Sequence, residues 1–326
     1  MTSVAEPLAP RPRVFITRQI PEEGLRIVAD EAETEVWQGE MPPPYEELRA
    51  RVKTCVGLLC LLTDRIDSEL LAHAPRLKVV SQLAVGYDNI DVAACSARGI
   101  KVGNTPGVLT ETTADLAFAL IMATARRIVE SDKIVRSGLW RTWSPLFMAG
   151  ADVHHSVLGI VGMGRIGYEV ARRGNGFQMT ILYADERPNT AAEADFGAMR
   201  VPLDELLQRS DFVSLHTPLT PKTTHLIGAR ELGLMKPSAI LVNSARGPIV
   251  DQRALYEALK SGSIAGAGLD VFEQEPVPAD VPLLTLDNVV VLPHIGSASV
   301  ATRTKMAVIA ARNLVAGLKG EPLPHS

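Results

Sequence analysis

The chain has 326 residues, 46% hydrophobic and 21% charged, which is ordinary for a globular protein but too long for one typical core, so two domains are the default. A formal net charge of −4 with no Lys/Arg-rich block argues against a nucleic-acid or anionic-membrane partner, and the longest apolar run, Leu116–Ala123, is far short of a membrane span. Three cysteines (Cys55, Cys60, Cys95) without CxxC or zinc-like His/Cys spacing read as reduced thiols of a cytoplasmic protein, and no metal site is expected.

The segment Met1–Arg13 lacks the apolar core of a signal peptide and is expected to be a short loose tail. Val14–Thr17, Val56–Leu62 and Leu77–Val80 then read as buried parallel strands. Between them Glu22–Asp30, Tyr45–Val52 and Ser68–Ala74 have helical spacing. This is a flavodoxin-like rhythm with no glycine fingerprint, a first α/β unit that does not hold a nucleotide. After Asn104-Thr-Pro-Gly107 one long helix is expected over Glu111–Ser137, apolar nearly all round in its first half and so buried between domains or subunits. The pair His154-His155 reads as linker rather than metal site. A second βα series follows, with strands at Val157–Val161, Thr180–Tyr183, Phe212–Leu215, Ala239–Asn243, Gly266–Asp270 and Val289–Leu292: six strands of a doubly wound nucleotide domain. Ser297–Leu318 reads as an amphipathic helix. If it returns to the first unit, residues 1–108 plus 297–326 form a discontinuous substrate domain and 109–296 the Rossmann domain.

The densest signal is Val157-Leu-Gly-Ile-Val-Gly-Met-Gly-Arg-Ile-Gly167. Gly162 permits a tight turn, Gly164 lets backbone approach a pyrophosphate, and Gly167 lets the helix lie close to the strand. The N–H groups around Arg165 and Ile166, helped by the helix dipole, face the phosphates. Asp185 ends the next apolar run, where it can accept both ribose hydroxyls. Three further segments end late strands: Asn243–Gly247, Asp270–Pro276 and Pro293–Ala298. They bring Arg246, Glu275 and His294 to the carboxyl end of the sheet. Singly, these are an ion-pair partner, a solvated loop residue and a cap. Together at strand ends of one nucleotide sheet they fit hydride transfer to a 2-keto acid. Arg246 binds the carboxylate and polarised carbonyl, His294 gives the proton, and Glu275 orients the imidazole and stabilises its charged form. His216 ends a strand and edges the cofactor pocket, and Trp140 and Trp143 are packing anchors or walls of a substrate pocket.

The ordered motifs Val85-Gly-Tyr-Asp-Asn-Ile-Asp91, Asn104–Asp115, Gly162–Gly167, Met235-Lys-Pro237 with Asn243–Gly247, Gly268–Pro276 and Pro293–Ser297 resemble the D-isomer-specific 2-hydroxyacid dehydrogenases from about Val14 to Leu318. Within that family the chain is most similar to the glyoxylate/hydroxypyruvate reductases, and Gly150–His155 resembles their 2-ketogluconate-reducing members. The resemblance implies two doubly wound parallel-sheet domains, flavodoxin-like and Rossmann, with Arg246, Glu275 and His294 as the catalytic residues. It implies that Val85 and Gly86 N–H groups hold the substrate carboxylate; Leu83 and the Trp143–Met148 loop are expected as the walls that read the rest of the substrate. Thr113, Gly162, Gly164, Arg165, Ile166, Gly167, Asp185, Thr217, Pro218, Ser244, Ala245, Asp270 and Gly296 would line the cofactor, Asp270 near its carboxamide. A homodimer with the helix after Asn104 at its interface is also implied; in some relatives a tryptophan from the loop of Trp140 and Trp143 reaches the partner's pocket.

Several relatives that prefer NADPH carry Asn or Ser before Arg where this chain has Asp185-Glu-Arg187. A carboxylate beside a 2′-phosphate costs roughly 4 kcal/mol at 4 Å with an effective dielectric of 20, less with solvent screening. NADH is therefore expected to be preferred and NADPH weakly usable, with Arg187 partly offsetting Asp185. Among alternatives, a phosphite dehydrogenase would carry Lys for Val85 and a formate dehydrogenase Gln for Glu275. A short-form D-3-phosphoglycerate dehydrogenase and a non-enzymatic NAD(H)-sensing, corepressor-like protein stay open.

Overall fold

The computed structural model describes residues 11–326, so the first ten residues of the expected tail lie outside it. Two compact units divide the chain: one runs to Leu109 and resumes at Ser299–Ser326, the other is Thr110–Ala298.

In the first unit β1 (Arg13–Ile16), α1 (Glu22–Glu31), β2 (Glu33–Val36), α2 (Tyr45–Val52), β3 (Gly57–Cys60), α3 (Ser68–Ala72), β4 (Val79–Gln82), α4 (Val92–Ala97) and β5 (Lys101–Gly103) follow in order. The sheet is parallel throughout, in the order β2-β1-β3-β4-β5, the flavodoxin-like arrangement. β3 and β4 are buried along their whole length, as strands covered on both faces must be. Sequence reading placed the latter at Leu77–Val80, two residues early. Leu77 instead closes a turn, its N–H bonded to the Ala74 carbonyl. β2, with the sequence Glu-Thr-Glu-Val, α4 and β5 were not expected, because none carries an extended apolar pattern.

The second unit runs α5 (Thr110–Ala125), α6 (Ile128–Arg136), β6 (Val157–Val161), α7 (Arg165–Gly176), β7 (Thr180–Ala184), α8 (Thr190–Phe196), β8 (Met199–Arg200), α9 (Leu203–Arg209), β9 (Phe212–Leu215), α10 (Ala229–Leu234), β10 (Ile240–Asn243), α11 (Gln252–Ser261), β11 (Gly266–Leu269) and β12 (Val289–Val291). Its parallel sheet has the order β12-β11-β10-β9-β6-β7-β8. That is the Rossmann order with one strand added beyond the six expected. The unforeseen member, β8, is a two-residue exposed edge. Along β10 Ile240 and Val242 enter one core layer and Leu241 the other, the alternation that packs helices on both faces.

The single helix expected over Glu111–Ser137 is two helices. The break falls at Arg127, whose backbone is left-handed at φ 52°, stabilised by a guanidinium–Glu130 pair at 2.7 Å. The freed Ala125 carbonyl accepts from the Ala151 N–H at 2.8 Å, and Gly150 is needed there because a Cβ would overlap that carbonyl. The last helix, α12 (Val300–Lys319), starts at a Ser299 cap and packs on α1 and on β3, β4 and β5 of the first unit. No described helix is long and apolar enough to cross a membrane, and the described residues hold no metal-ligating cluster. His154 lies 3.8 Å from the Asp152 carboxylate, and among the described residues no third ligand joins them.

Candidate active site

The turn between β6 and α7 is built for close backbone approach. Gly162 sits at φ +94°, and a Cβ there would press on the His216 carbonyl and the Thr217 N–H at 2.8–2.9 Å. At Gly167 a Cβ would overlap the Gly162 carbonyl. Gly164 is different: a Cβ would meet nothing within 4 Å, so open space lies over the turn. α7 has no side-chain cap, leaving first-turn N–H groups and the positive end of its dipole, with Arg165 and Ile166, at that opening. Asp185, at the end of β7, is already oriented: its carboxylate accepts from the Met163 N–H at 2.8 Å and the Arg187 N–H at 3.1 Å. The Asn189 amide holds the Met163 carbonyl at 2.8 Å, and Arg200 grips the Asp185 and Glu186 carbonyls. An open glycine turn, an uncapped helix and a fixed carboxylate fit a dinucleotide with ribose hydroxyls on Asp185.

At the carboxyl ends of β10, β11 and β12 the second cluster forms. His294 Nδ1 lies 2.6 Å from Glu275 Oε2, and Glu275 Oε1 accepts the Phe272 N–H at 3.0 Å. Burial alone would raise the Glu275 carboxyl. The hydrogen bond and charge of His294, the Phe272 N–H and nearby Arg246 outweigh it and hold the group below the usual range. His294 has a left-handed backbone at φ 53°, a conformation that costs of order 1 kcal/mol or more outside glycine. The carboxylate of Asp270 offsets this strain. Fully buried, it accepts the Ile295 and Gly296 N–H groups at 2.7 and 2.8 Å, while its own carbonyl accepts the His294 N–H at 2.9 Å. Burial nonetheless pushes the Asp270 carboxyl up, against those hydrogen bonds and His294. A Cβ on Gly296 would lie 3.2 Å from the Asp270 carboxylate and 3.5 Å from the Thr113 methyl, so these three expected residues converge.

Arg246 follows β10 and is pinned through its main chain. The Asn243 amide donates to the Arg246 carbonyl at 2.9 Å and accepts the Ala245 N–H at 3.1 Å. Gly247 lies so close to the Phe272 carbonyl that a Cβ would overlap it, which locks the Arg246 loop onto the Glu275 loop. Glu273 ties the same loop to His225 at 3.0 Å and to the Gln252 N–H at 3.1 Å. None of these supports was singled out in the sequence reading. A polar residue ending a buried strand, as Asn243 does, was the available signal. Thr217 abuts the Gly162 turn, and Pro218 follows it, exposed, its carbonyl bonded to Thr223. Ser244 presents a buried hydroxyl with no partner among the described residues. Leu83, Val85 and Gly86 belong to the first unit, just past β4, and Trp143 stands 77% exposed after α6.

A dinucleotide fold with an acid-oriented histidine and an arginine at its strand ends defines an oxidoreductase that moves hydride to or from a polar carbonyl group. Residues 118–296 match the family model described as D-isomer specific 2-hydroxyacid dehydrogenase, NAD binding domain. The glyoxylate reductase of Korarchaeum cryptofilum is 57% identical over 97% of this chain and 95% of its own length. A solved protein of Thermus thermophilus superposes with TM-score 0.90 at 46% identity, covering 96% of this chain and 99% of that one. An NADPH-dependent glyoxylate/hydroxypyruvate reductase of Sinorhizobium meliloti, solved with NADP and malonate, gives TM-score 0.82 at 34% identity, covering 94% of this chain and 93% of that one. The chain belongs to the D-isomer-specific 2-hydroxyacid dehydrogenase family.

Proposed function

We propose that the chain reduces small 2-keto acids, glyoxylate and hydroxypyruvate first and 2-ketogluconate next, to the D-2-hydroxy acids with NADH, in the cytoplasm. The observation that carries the reading is the 2.6 Å Glu275–His294 pair beside Arg246, at the strand ends of the sheet whose glycine turn fits a dinucleotide. Glyoxylate reductases among the relatives support the substrate class.

When bound, NADH supplies the hydride. Glu275 stays ionised in the neutral range, since its carboxyl is held low, and its bond to Nδ1 fixes the orientation of the His294 ring. With Nδ1 committed to Glu275, Nε2 of His294 is the nitrogen left to donate a proton to the substrate oxygen as that oxygen gains charge. Arg246 offers a planar fork to the substrate carboxylate and to the same oxygen, which polarises the carbonyl. Val85 and Gly86 are the proposed carboxylate-binding segment of the first unit. Thr113, Asp270 and Gly296 form the proposed contact for the carboxamide.

NADH is assigned over NADPH because the Asp185 carboxylate is held in place by two backbone N–H groups and cannot withdraw easily from a 2′-phosphate. A homodimer is assigned from an exposed apolar series on one segment: Ile128 at 51%, Val135 at 59%, Leu139 at 65%, Trp140 at 58%, Trp143 at 77% and Leu146 at 85%.

The test is NADH oxidation with glyoxylate, hydroxypyruvate, 2-ketogluconate and phenylpyruvate, repeated with NADPH. Rapid turnover of a small keto acid that favours NADH is expected. Tight NADH binding without turnover of any of them would overturn the reading in favour of a dinucleotide-sensing protein.

A further inference from the structure

The segment after β4 has an unusual main-chain arrangement. Three consecutive carbonyls are each captured: Ala84 by the Thr105 N–H at 2.9 Å, Val85 by the Asn104 amide at 2.8 Å and Gly86 by the Gln82 amide at 3.3 Å. In a trans peptide the carbonyl of one residue and the N–H of the next share a plane and point opposite ways. Fixing these three carbonyls therefore sets the directions of the Val85, Gly86 and Tyr87 N–H groups. Among the described residues, none accepts a hydrogen bond from the N–H of Val85 or Gly86. Successive N–H groups held open at the end of a parallel strand make an anion cradle.

The captors are themselves anchored. Gln82 is fully buried. It donates also to Asn89 at 2.8 Å and accepts from the Cys60 thiol at 3.0 Å, while Asn89 donates to the Leu61 and Asp64 carbonyls. The Asn104 carbonyl accepts from the amide of buried Asn313 at 2.9 Å, on α12, which in turn accepts the His325 N–H at 2.9 Å. Gly103 is required beside it, since a Cβ would lie 2.9 Å from the Asn313 side chain. Buried amides with both ends bonded hold one geometry, because any rearrangement strands a polar group.

We propose that Asn104 and Gln82 are positioning residues that preform the Val85–Gly86 turn for the carboxylate of the keto acid, with Asn313 securing Asn104. This rests on the reductase reading given above. Preorganised donors of this kind act on substrate binding and leave the reacting atoms to other groups.

The test compares wild type with the neutral variants Asn104→Leu and Gln82→Met, each of which removes an amide donor without adding charge. Three quantities are measured: KM and kcat for glyoxylate, the inhibition constant of malonate as an unreactive carboxylate probe, and the NADH dissociation constant by fluorescence. The expected result is a rise in KM and in the malonate constant by the same factor, about tenfold or more, corresponding to about 1.4 kcal/mol. kcat and NADH affinity should stay within about twofold. If Asn104→Leu does not fold, as judged by circular dichroism and the loss of a cooperative unfolding transition, Gln82→Met decides. An unchanged KM, or a parallel loss of kcat and NADH affinity, overturns the proposal. A wild-type protein that reduces no keto acid overturns the reductase reading instead, and this assignment with it.

Discussion

The turns after β1 and β6 occupy equivalent places, each following the first strand of a doubly wound parallel sheet, yet their chemistry is opposite. After β6 the chain runs Gly162-Met-Gly-Arg-Ile-Gly167 into an uncapped helix beneath open space. After β1 it runs Thr17-Arg-Gln-Ile-Pro21, with Pro21 leading into α1. Thr17 is buried, its hydroxyl bonded to the carboxyl of Asp64, and burial pushes that carboxyl up. A buried acid beside the turn, with no glycine to bring the backbone forward, leaves nothing there for a phosphate. Topology supplies a crevice at the carboxyl ends of both sheets, and residue chemistry decides which crevice takes a nucleotide.

The largest effect should come from the chemistry that only the second sheet carries. His294→Ala is expected to lower kcat by about 10²–10⁴, the range for a lost general acid, with NADH affinity unchanged. Glu275→Gln should lower kcat in the same direction, and a kcat–pH profile that loses its dependence in both variants would place the two residues in one unit.

Next in size is the glycine contrast. Gly164→Val places its side chain in empty space, so the fold should survive with an unchanged Tm while NADH affinity falls by about 100-fold, or about 2.7 kcal/mol. Fluorescence titration checks it, and an unaltered NADH affinity would remove the pyrophosphate assignment. Asp185→Ser should raise the NADPH-to-NADH ratio of kcat/KM about tenfold or more, read from paired steady-state assays.

The smallest effect concerns stability. Burial pushes the His216 imidazole, bonded to Ser214 at 2.8 Å, down to about 3 from an unfolded value of 6.5. The unfolded chain therefore binds the extra proton first. This term leaves stability flat above pH 6.5 and lowers it as pH falls from 6.5 towards 3. His216→Gln should flatten that part of a denaturant-midpoint profile. Asp270 and Asp64, whose carboxyls are raised, act the other way: they hold protons longer when folded and lose that contribution as pH rises past their folded values.

Short-range signals made the nucleotide turn and the strand-end residues legible. Gly162 and Gly167 are set by close backbone approach, Gly164 and Asp185 stand at fixed spacings from them, and Arg246, Glu275 and His294 each end or closely follow a continuous apolar strand. What escaped depends on segments meeting in space. Asn243 matters because its amide reaches forward to the Arg246 carbonyl, and Asn104 because it meets a turn nineteen residues earlier. The helix break at Arg127 escaped because neither glycine nor proline marks it; the carbonyl it frees is satisfied by Ala151, on a distant segment. β2 and β8 escaped because edge strands need no apolar alternation.

One paired experiment on the same preparations decides whether His294 is the proton donor of a reductase: NADH binding and NADH oxidation with glyoxylate, for wild type and His294→Ala. NADH affinity is expected to be equal in both proteins, with fast oxidation in the wild type and a loss of at least about 100-fold in the variant. Equal oxidation rates in the two proteins, or none in the wild type despite tight NADH binding, would contradict it.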